Sequence, residues 1–131
     1  MSSSYWKLSP DDARWRRDFF PQPLCVLVGR RRKGSWHLRD ETSILELIGL
    51  THLAALPAGA ITPSQQRALE IGMALATRPK LLLLDEVAAG LTESEIESMA
   101  QLIRRLRDEL DLTVIWIEHA VTTLLRHVER V

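Results

Sequence analysis

Three residues in the second half of this 131-residue chain carry side chains suited to chemistry on phosphates. Asp85 and Glu86 follow four consecutive leucines, and His119 follows a second apolar run, Thr113–Ile117. An Asp at the end of an aliphatic strand can hold Mg²⁺, and an adjacent Glu can orient or deprotonate an attacking water. A histidine from a neighbouring strand could hydrogen-bond a terminal phosphate. These residue types suit nucleotide hydrolysis, although Asp-Glu after an apolar run also fits the plain start of a polar loop.

The two apolar runs are predicted to be strands that position these residues. The leucine run is short, with Pro79 before it and Gly90 after it, which favours a strand buried on both faces. Thr113–Ile117 is β-branched and aromatic, and we predict a second buried strand with Trp116 in the core.

A helix is predicted between the two strands. Thr92 and Glu95 have the spacing of a capping box, and the apolar positions that follow keep a helical period to about Leu110. Strand, helix and strand form a βαβ unit, whose strands are parallel. Because parallel strands end at the same edge of a sheet, Asp85, Glu86 and His119 are expected to meet at one edge.

Upstream of this unit, two more helices are predicted. Thr62 is a good N-cap, Pro63 suits the first helical position, and Gln65 can close a capping box, so a helix should run from here to about Thr77. Thr42 can cap a shorter helix that ends near Gly49. A last helix is predicted to begin near Ala120 and reach the end of the chain.

Composition separates an irregular segment, residues 1–40, from the periodic remainder, residues 41–131. The irregular segment holds three of the four tryptophans and the basic run Arg30–Lys33. Lys plus Arg and Asp plus Glu both number 17, so no overall field attracts nucleic acid. No apolar run approaches the ~20 residues that span a bilayer, and Cys25 is the single cysteine. We therefore expect a cytoplasmic protein without nucleic-acid binding or direct membrane insertion.

Several segments, taken in order and spacing, resemble the ATP-binding subunits of branched-chain amino acid and urea ABC transporters. The segments are Gln65–Ile71, Ala74–Glu86, Ala88–Leu91, Leu102–Glu109 and Ile117–His119. The resemblance is specific from about Leu56 to Val131 and covers the C-terminal half of such a subunit. It implies an α/β fold, a partial P-loop NTPase of the ABC ATPase type with a short parallel sheet flanked by helices.

The resemblance also implies roles for individual residues. Asp85 would lie near Mg²⁺, Glu86 would be the catalytic base, and His119 would be the switch-loop histidine. The signature motif falls on residues 61–65, so Thr62, Ser64 and Gln65 would contact the nucleotide. The implied cofactors are ATP and Mg²⁺, and residues 88–92 would form the D-loop.

The chain departs from the family pattern in ways that bear on activity. It contains no G-x-x-x-x-G-K-[ST] phosphate-binding loop, and Pro63 and Ser64 replace the two signature glycines. We expect a truncated ATP-binding subunit that is impaired or inactive alone, in a family that drives solute import of the amino acid type. Its possible partners are a second copy, a full-length ABC ATPase or a transporter membrane subunit, which would place it at the inner membrane. The alternative is a non-catalytic module that docks on one of these proteins.

Overall fold

The computed structural model describes residues 41–118, which form three α-helices and two strands. The elements are, in chain order, α1 (Glu41–Leu47), α2 (Pro63–Leu75), β1 (Leu81–Asp85), α3 (Glu93–Leu110) and β2 (Thr113–Ile117), with short 3₁₀ turns at Thr51–Leu53 and Ala58–Ala60 between α1 and α2. The predicted final helix and residues 1–40 lie outside the described residues. None of the helices in the described range has the length and apolar character that crossing a bilayer requires.

The two strands pair in parallel, as the βαβ pattern predicts. Leu81 lies opposite Thr113 at one end of the ladder, and Asp85 lies opposite Ile117 at the other. Both strands therefore end at the same edge. This confirms the predicted α/β arrangement. It also brings Asp85 next to Ile117, which Glu118 and His119 follow in the chain.

Both predicted capping boxes are present. Thr62 caps α2 and Thr92 caps α3, each with its hydroxyl accepting from the backbone N–H three residues later and its own N–H donating back to that side chain. These bonds satisfy backbone groups that a helix start otherwise leaves unpaired. Helix α3 ends at Leu110 as predicted, where Asp111 adopts a left-handed conformation and its N–H donates to the Arg107 carbonyl oxygen.

The first helix differs from the prediction at its start. Thr42 lies inside α1, which already includes Glu41, so its predicted role as the cap is wrong. The end is as predicted, because Gly49 has a φ of +75° and the next N–H, from Leu50, returns to the Leu45 carbonyl oxygen at 2.8 Å. Helix α1 approaches α2 closely at Gly72, where an added Cβ would lie 2.7 Å from the Ile48 Cδ1.

One apolar core lies between the helices and one face of the sheet. Its fully buried members include Ile71, Leu75, Leu82, Leu84, Val87 and Leu106. Leu82 and Leu84 face the helices from β1, and their register partners Val114 and Trp116 are partly buried against the same core. Burying these side chains supplies most of the free energy that holds the helices on the sheet.

The prediction of two buried strands, the first buried on both faces, is wrong for one face of the sheet. Along β1, buried and half-buried residues alternate, and along β2, half-buried residues alternate with exposed ones. Ile115 and Ile117 are each 47% exposed. The physical reason is that the described helices pack on one face of the sheet only, so the side chains that point the other way have none of these three helices over them.

Replacing Leu84 with Ala should test the position of the core. The side chain is fully buried, so we expect Leu84→Ala to lower the free energy of unfolding by about 3 kcal/mol, as measured by urea denaturation. Leu56, which is 41% exposed, provides the matched control, and Leu56→Ala should cost less than about 0.5 kcal/mol. Equal costs for the two variants would contradict this core.

Candidate functional site

Asp85 and Glu86 lie at the carboxyl end of the parallel pair, where β1 turns into a loop. Asp85 is the last residue of β1 and is half-buried, whereas Glu86 is exposed. The Glu86 N–H donates to the Ile117 carbonyl oxygen at 2.9 Å, and Glu86 has a φ of +52°. A left-handed conformation is unfavourable for a residue with a Cβ and persists where neighbouring bonds hold it. The strand pairing thus fixes the backbone from which both carboxylates project.

Glu118 holds the same loop from the end of β2, and the sequence analysis did not identify it. Its Oε1 accepts from the Ala88 backbone N–H at 2.6 Å and from the Trp116 Nε1 at 3.1 Å. Between the two tethered residues of the loop, Val87 is fully buried. The loop that carries Glu86 is therefore fixed by a backbone hydrogen bond to β2, a hydrogen bond to the Glu118 carboxylate and the burial of Val87.

The predicted contribution of His119 falls outside the described residues. The structure follows the chain as far as Glu118, the residue before it. The shared edge predicted for Asp85 and Glu86 with the end of β2 is confirmed up to that point. The role of His119 stays a prediction.

Thr62, Ser64 and Gln65 bond chiefly to one another at the start of α2. The Thr62 N–H donates to the Gln65 Oε1 at 2.9 Å, and the Gln65 N–H donates to the Thr62 Oγ1 at 3.3 Å. The hydroxyls of Thr62 and Ser64 are 3.2 Å apart. Pro63 has no N–H to donate. The first turn of α2 therefore has few donors left for an external anion.

A carboxylate from α3 also reaches the start of α2. Hydrogen bonds from the Thr92 backbone and hydroxyl, and then from the Ser64 hydroxyl, lower the pKa of Glu95 below its usual range. The ionised carboxylate is thus shared between two helix N-termini, which both favour negative charge. It also opposes a phosphate group that approaches Ser64.

The residues near Ser64 line an open cleft of about 550 Å³, separate from the sheet edge. The cleft lies between the end of α1, the start of α2 and one side of α3. Its polar lining comprises His52, Ser64, Gln65, Glu95, Ser98, Gln101 and Arg105. Neither Asp85 nor Glu86 lines it, so the structure does not bring the two predicted halves of the site together in one cavity.

The residues present suit Mg²⁺ in part and ATP phosphates poorly. Within residues 41–118 there is no group of three or more His, Cys, Asp or Glu side chains that could hold a metal ion. Mg²⁺ needs only one or two carboxylates when phosphates and waters complete its shell, and Asp85 can serve as one. The backbone N–H cradle of a glycine-rich loop, which grips the phosphates, is missing from the sequence.

No protein-family model matches the chain, but individual relatives do. The branched-chain amino acid transport ATP-binding protein LivG of Escherichia coli is 36% identical over 101 residues, which are 77% of this chain and 40% of LivG. The corresponding protein BraF of Pseudomonas aeruginosa is 47% identical over 75 residues, which are 57% of this chain and 29% of BraF. The homologues of this chain are ATP-binding subunits of ABC transporters.

Other members of the ABC group match over a similar range. The molybdenum import ATP-binding protein ModC of Haemophilus influenzae is 30% identical over 111 residues, which are 83% of this chain and 32% of ModC. The chain therefore spans well under half the length of these curated relatives: 40% of LivG, 32% of ModC and 29% of BraF.

Solved structures of ABC ATPase domains share the fold. An ATP-binding cassette in its ADP conformation superposes with a TM-score of 0.65 at 28% identity, over 75% of this chain and 38% of that one. A subunit of an ABC transporter complex from Clostridium perfringens gives 0.66 at 26% identity, over 68% and 36%. The α/β fragment described here is therefore part of an ABC ATPase fold, as the resemblance implied.

Removing the Glu118 carboxylate should loosen the loop that carries Glu86. We expect Glu118→Ala to lower the free energy of unfolding by about 1–3 kcal/mol, because it leaves the Ala88 N–H and the Trp116 indole without their acceptor. Glu118→Gln keeps an acceptor oxygen and should recover most of the loss. Urea denaturation measures both.

Glu109→Ala is the matched control for this pair of variants. Its side chain is 52% exposed and lies 4.0 Å from Arg105, so its removal should cost less than about 0.5 kcal/mol. If Glu118→Ala is no more harmful than Glu109→Ala, Glu118 does not hold the loop.

The charge of Glu95 should make part of the stability depend on pH. Because the pKa of Glu95 is lowered in the folded state, its contribution is present above the pKa of the unfolded chain and is lost as pH falls through the folded-state pKa. Glu95→Gln should therefore lower the Tm more at pH 7 than at about pH 3. Glu93→Gln, in the same helical turn, should show a smaller difference between the two pH values. A Tm difference for Glu95→Gln that is as large at pH 3 as at pH 7 would contradict this.

Proposed function

We propose that this chain supplies the Mg²⁺ side of an ABC-type ATP site, with Asp85 near the ion and Glu86 as the base that activates water. The observation that carries the proposal is the parallel β1–β2 pair, which ends at Asp85 and is tied across to the Glu86 backbone at 2.9 Å. Ligands of open α/β folds bind at this end of the strands. His119, which follows Glu118 in the chain, would contribute the switch histidine.

The local geometry suits Glu86 to a role as base. Its carboxylate is exposed, and its backbone is fixed by the strand pairing, so the side chain projects from a defined point beyond the sheet. A base must reach the water that it deprotonates, and positioning is the larger part of that requirement. Asp85, half-buried one residue earlier, is held at the end of the ladder where a metal ligand would be placed.

The same observations support a chain that does not turn over ATP by itself. The sequence has no phosphate-binding loop. In the family, the signature-side residues Thr62, Ser64 and Gln65 would contact the nucleotide. Here Pro63 offers no N–H donor to an anion at this position, and the negative charge of the Glu95 carboxylate repels one. A phosphate grip would have to come from outside these 131 residues.

The relatives indicate the setting of this activity. LivG and BraF are named for branched-chain amino acid transport and ModC for molybdenum import. We place this chain with the amino acid type, beside a partner ATPase and a transporter membrane subunit on the inner face of the membrane. ATP and Mg²⁺ would bind between this chain and its partner.

A second candidate function is a non-catalytic module that docks on a transporter subunit or a full-length ATPase. The internal bonding at the start of α2 favours it, because donors that would serve a nucleotide are used to close the helix. In this case Asp85 and Glu86 are an inherited edge of the sheet, and binding of the partner needs neither carboxylate.

Phosphate release with Mg-ATP tests the first candidate. We expect the purified chain to release phosphate no faster than the buffer blank and Glu86→Gln to behave identically, because the sequence lacks the glycine-rich loop that grips the phosphates. Mg-ATP should leave the Tm unchanged, since only a ligand that binds the native state raises it. Turnover by the chain alone that Glu86→Gln abolishes would contradict this proposal.

Mixing the chain with a full-length ATP-binding subunit of the branched-chain amino acid type separates the two candidates. If the chain supplies Asp85 and Glu86 to a shared site, Glu86→Gln should lower the rate of phosphate release by the mixture about 100-fold or more relative to the wild-type chain. If the chain is a docking module, the wild-type chain and Glu86→Gln should both co-purify with the partner and give the same rate.

A further inference from the structure

One oxygen of the Glu118 side chain accepts hydrogen bonds from two different elements. Its Oε1 receives the Ala88 backbone N–H, from the loop after β1, at 2.6 Å. The same oxygen receives the Trp116 Nε1–H, from β2, at 3.1 Å. Both donors are partly buried, where a hydrogen bond is costly to lose. A single side-chain atom therefore links the loop that follows Glu86 to the second strand.

Glu118 and Asp85 project to opposite sides of the sheet edge. Side chains alternate across a strand, so Trp116 and Glu118, two positions apart, lie on the same side, as their hydrogen bond requires. Trp116 is the register partner of Leu84, which is fully buried against the helices. Asp85 pairs with Ile117 and lies on the other side. Glu118 therefore approaches the loop from the core side, away from the position of a metal ligand beside Asp85.

The bond to Ala88 restrains the loop on the far side of Glu86 from the strand ladder. Before the loop, the Glu86 N–H is tied to the Ile117 carbonyl oxygen at 2.9 Å. Between Glu86 and Ala88 lies Val87, which is fully buried. Glu86 has a φ of +52°, a left-handed conformation that a residue with a Cβ leaves when its neighbours allow. The Glu118 bond is thus one of the contacts that keep Glu86 in this conformation.

We infer that Glu118 is a positioning residue for Glu86, and that the Trp116 indole holds the Glu118 carboxylate in the orientation that this role requires. Glu118 acts through the Ala88 backbone and contacts neither nucleotide nor metal. Its effect on the reaction rests on the proposed function, in which Glu86 is the base. The restraint on the loop is measurable without nucleotide.

Amide hydrogen exchange of the full chain, followed by NMR, tests the restraint. We expect Glu118→Ala to raise the exchange rate of the Ala88 amide at least about tenfold relative to that of the Glu86 amide, because the loop then opens locally while the ladder bond persists. Ile103→Val is the matched control, since it truncates a buried core side chain and lowers stability without touching the loop. It should leave the ratio of the two rates unchanged. An unchanged ratio in Glu118→Ala would overturn the inference.

Two further variants separate the hydrogen bonds from charge and from packing. Glu118→Gln keeps an acceptor oxygen and should hold Ala88 exchange within about twofold of the wild-type rate. Trp116→Phe keeps an aromatic ring but removes the indole N–H, and should raise Ala88 exchange at least about threefold relative to the Glu86 amide. Glu118→Gln behaving as Glu118→Ala, or Trp116→Phe behaving as the wild type, would overturn the inference.

Steady-state kinetics test the effect on the reaction. The chain is mixed with a full-length ATP-binding subunit of the branched-chain amino acid type whose own catalytic glutamate is replaced by glutamine. A misplaced base slows turnover without weakening substrate binding, so Glu118→Ala should lower kcat at least about tenfold and change the KM for Mg-ATP less than about twofold. Glu118→Gln and Ile103→Val should each stay within about threefold of the wild-type kcat.

The outcomes distinguish this inference from the proposed function. If Glu86→Gln leaves phosphate release by the mixture unchanged, the proposed function fails, and the exchange rate of Ala88 alone decides whether Glu118 positions the loop. If Glu86→Gln abolishes release but Glu118→Ala retains the wild-type kcat, the proposed function stands and the inference is overturned. A raised KM with an unchanged kcat in Glu118→Ala would make Glu118 a binding residue and overturn the inference as well.

Discussion

The parallel ladder between β1 and β2 determines the positions of Asp85, Glu86 and Glu118 at the edge of the sheet. Its register sets Asp85 opposite Ile117, and the next backbone bond joins Glu86 to the Ile117 carbonyl oxygen. A slip of one residue would exchange the two faces of β2, placing Ile115 and Ile117 against the helices and Trp116 in solvent. The apolar core and the positions of the Asp85 and Glu86 carboxylates therefore depend on the same register.

The sequence predicts those features that are encoded locally. The capping boxes at Thr62 and Thr92 depend on side chains three residues apart, and both helices begin where those patterns indicate. The strands and their parallel pairing follow from short apolar runs on either side of a helix, which leave few alternatives for the topology. The position of Asp85 and Glu86 at the sheet edge follows in turn.

The features that sequence patterns miss depend on contacts between distant residues. Glu118 bonds to Ala88, thirty positions earlier, and no periodicity marks that pair. The Ser64–Glu95 contact joins the starts of two different helices. Burial of β2 is likewise decided by what packs on the sheet, so its β-branched composition indicates a strand without indicating how many of its faces are covered.

The bond between the Trp116 indole and Glu118 gives the molecule an internal optical probe. The same carboxylate oxygen binds the indole and the backbone of the loop after β1, so a displacement of that loop alters the polarity around a fluorophore. In a variant that retains Trp116 as its sole tryptophan, the emission wavelength would follow movements beside Glu86 without any attached dye.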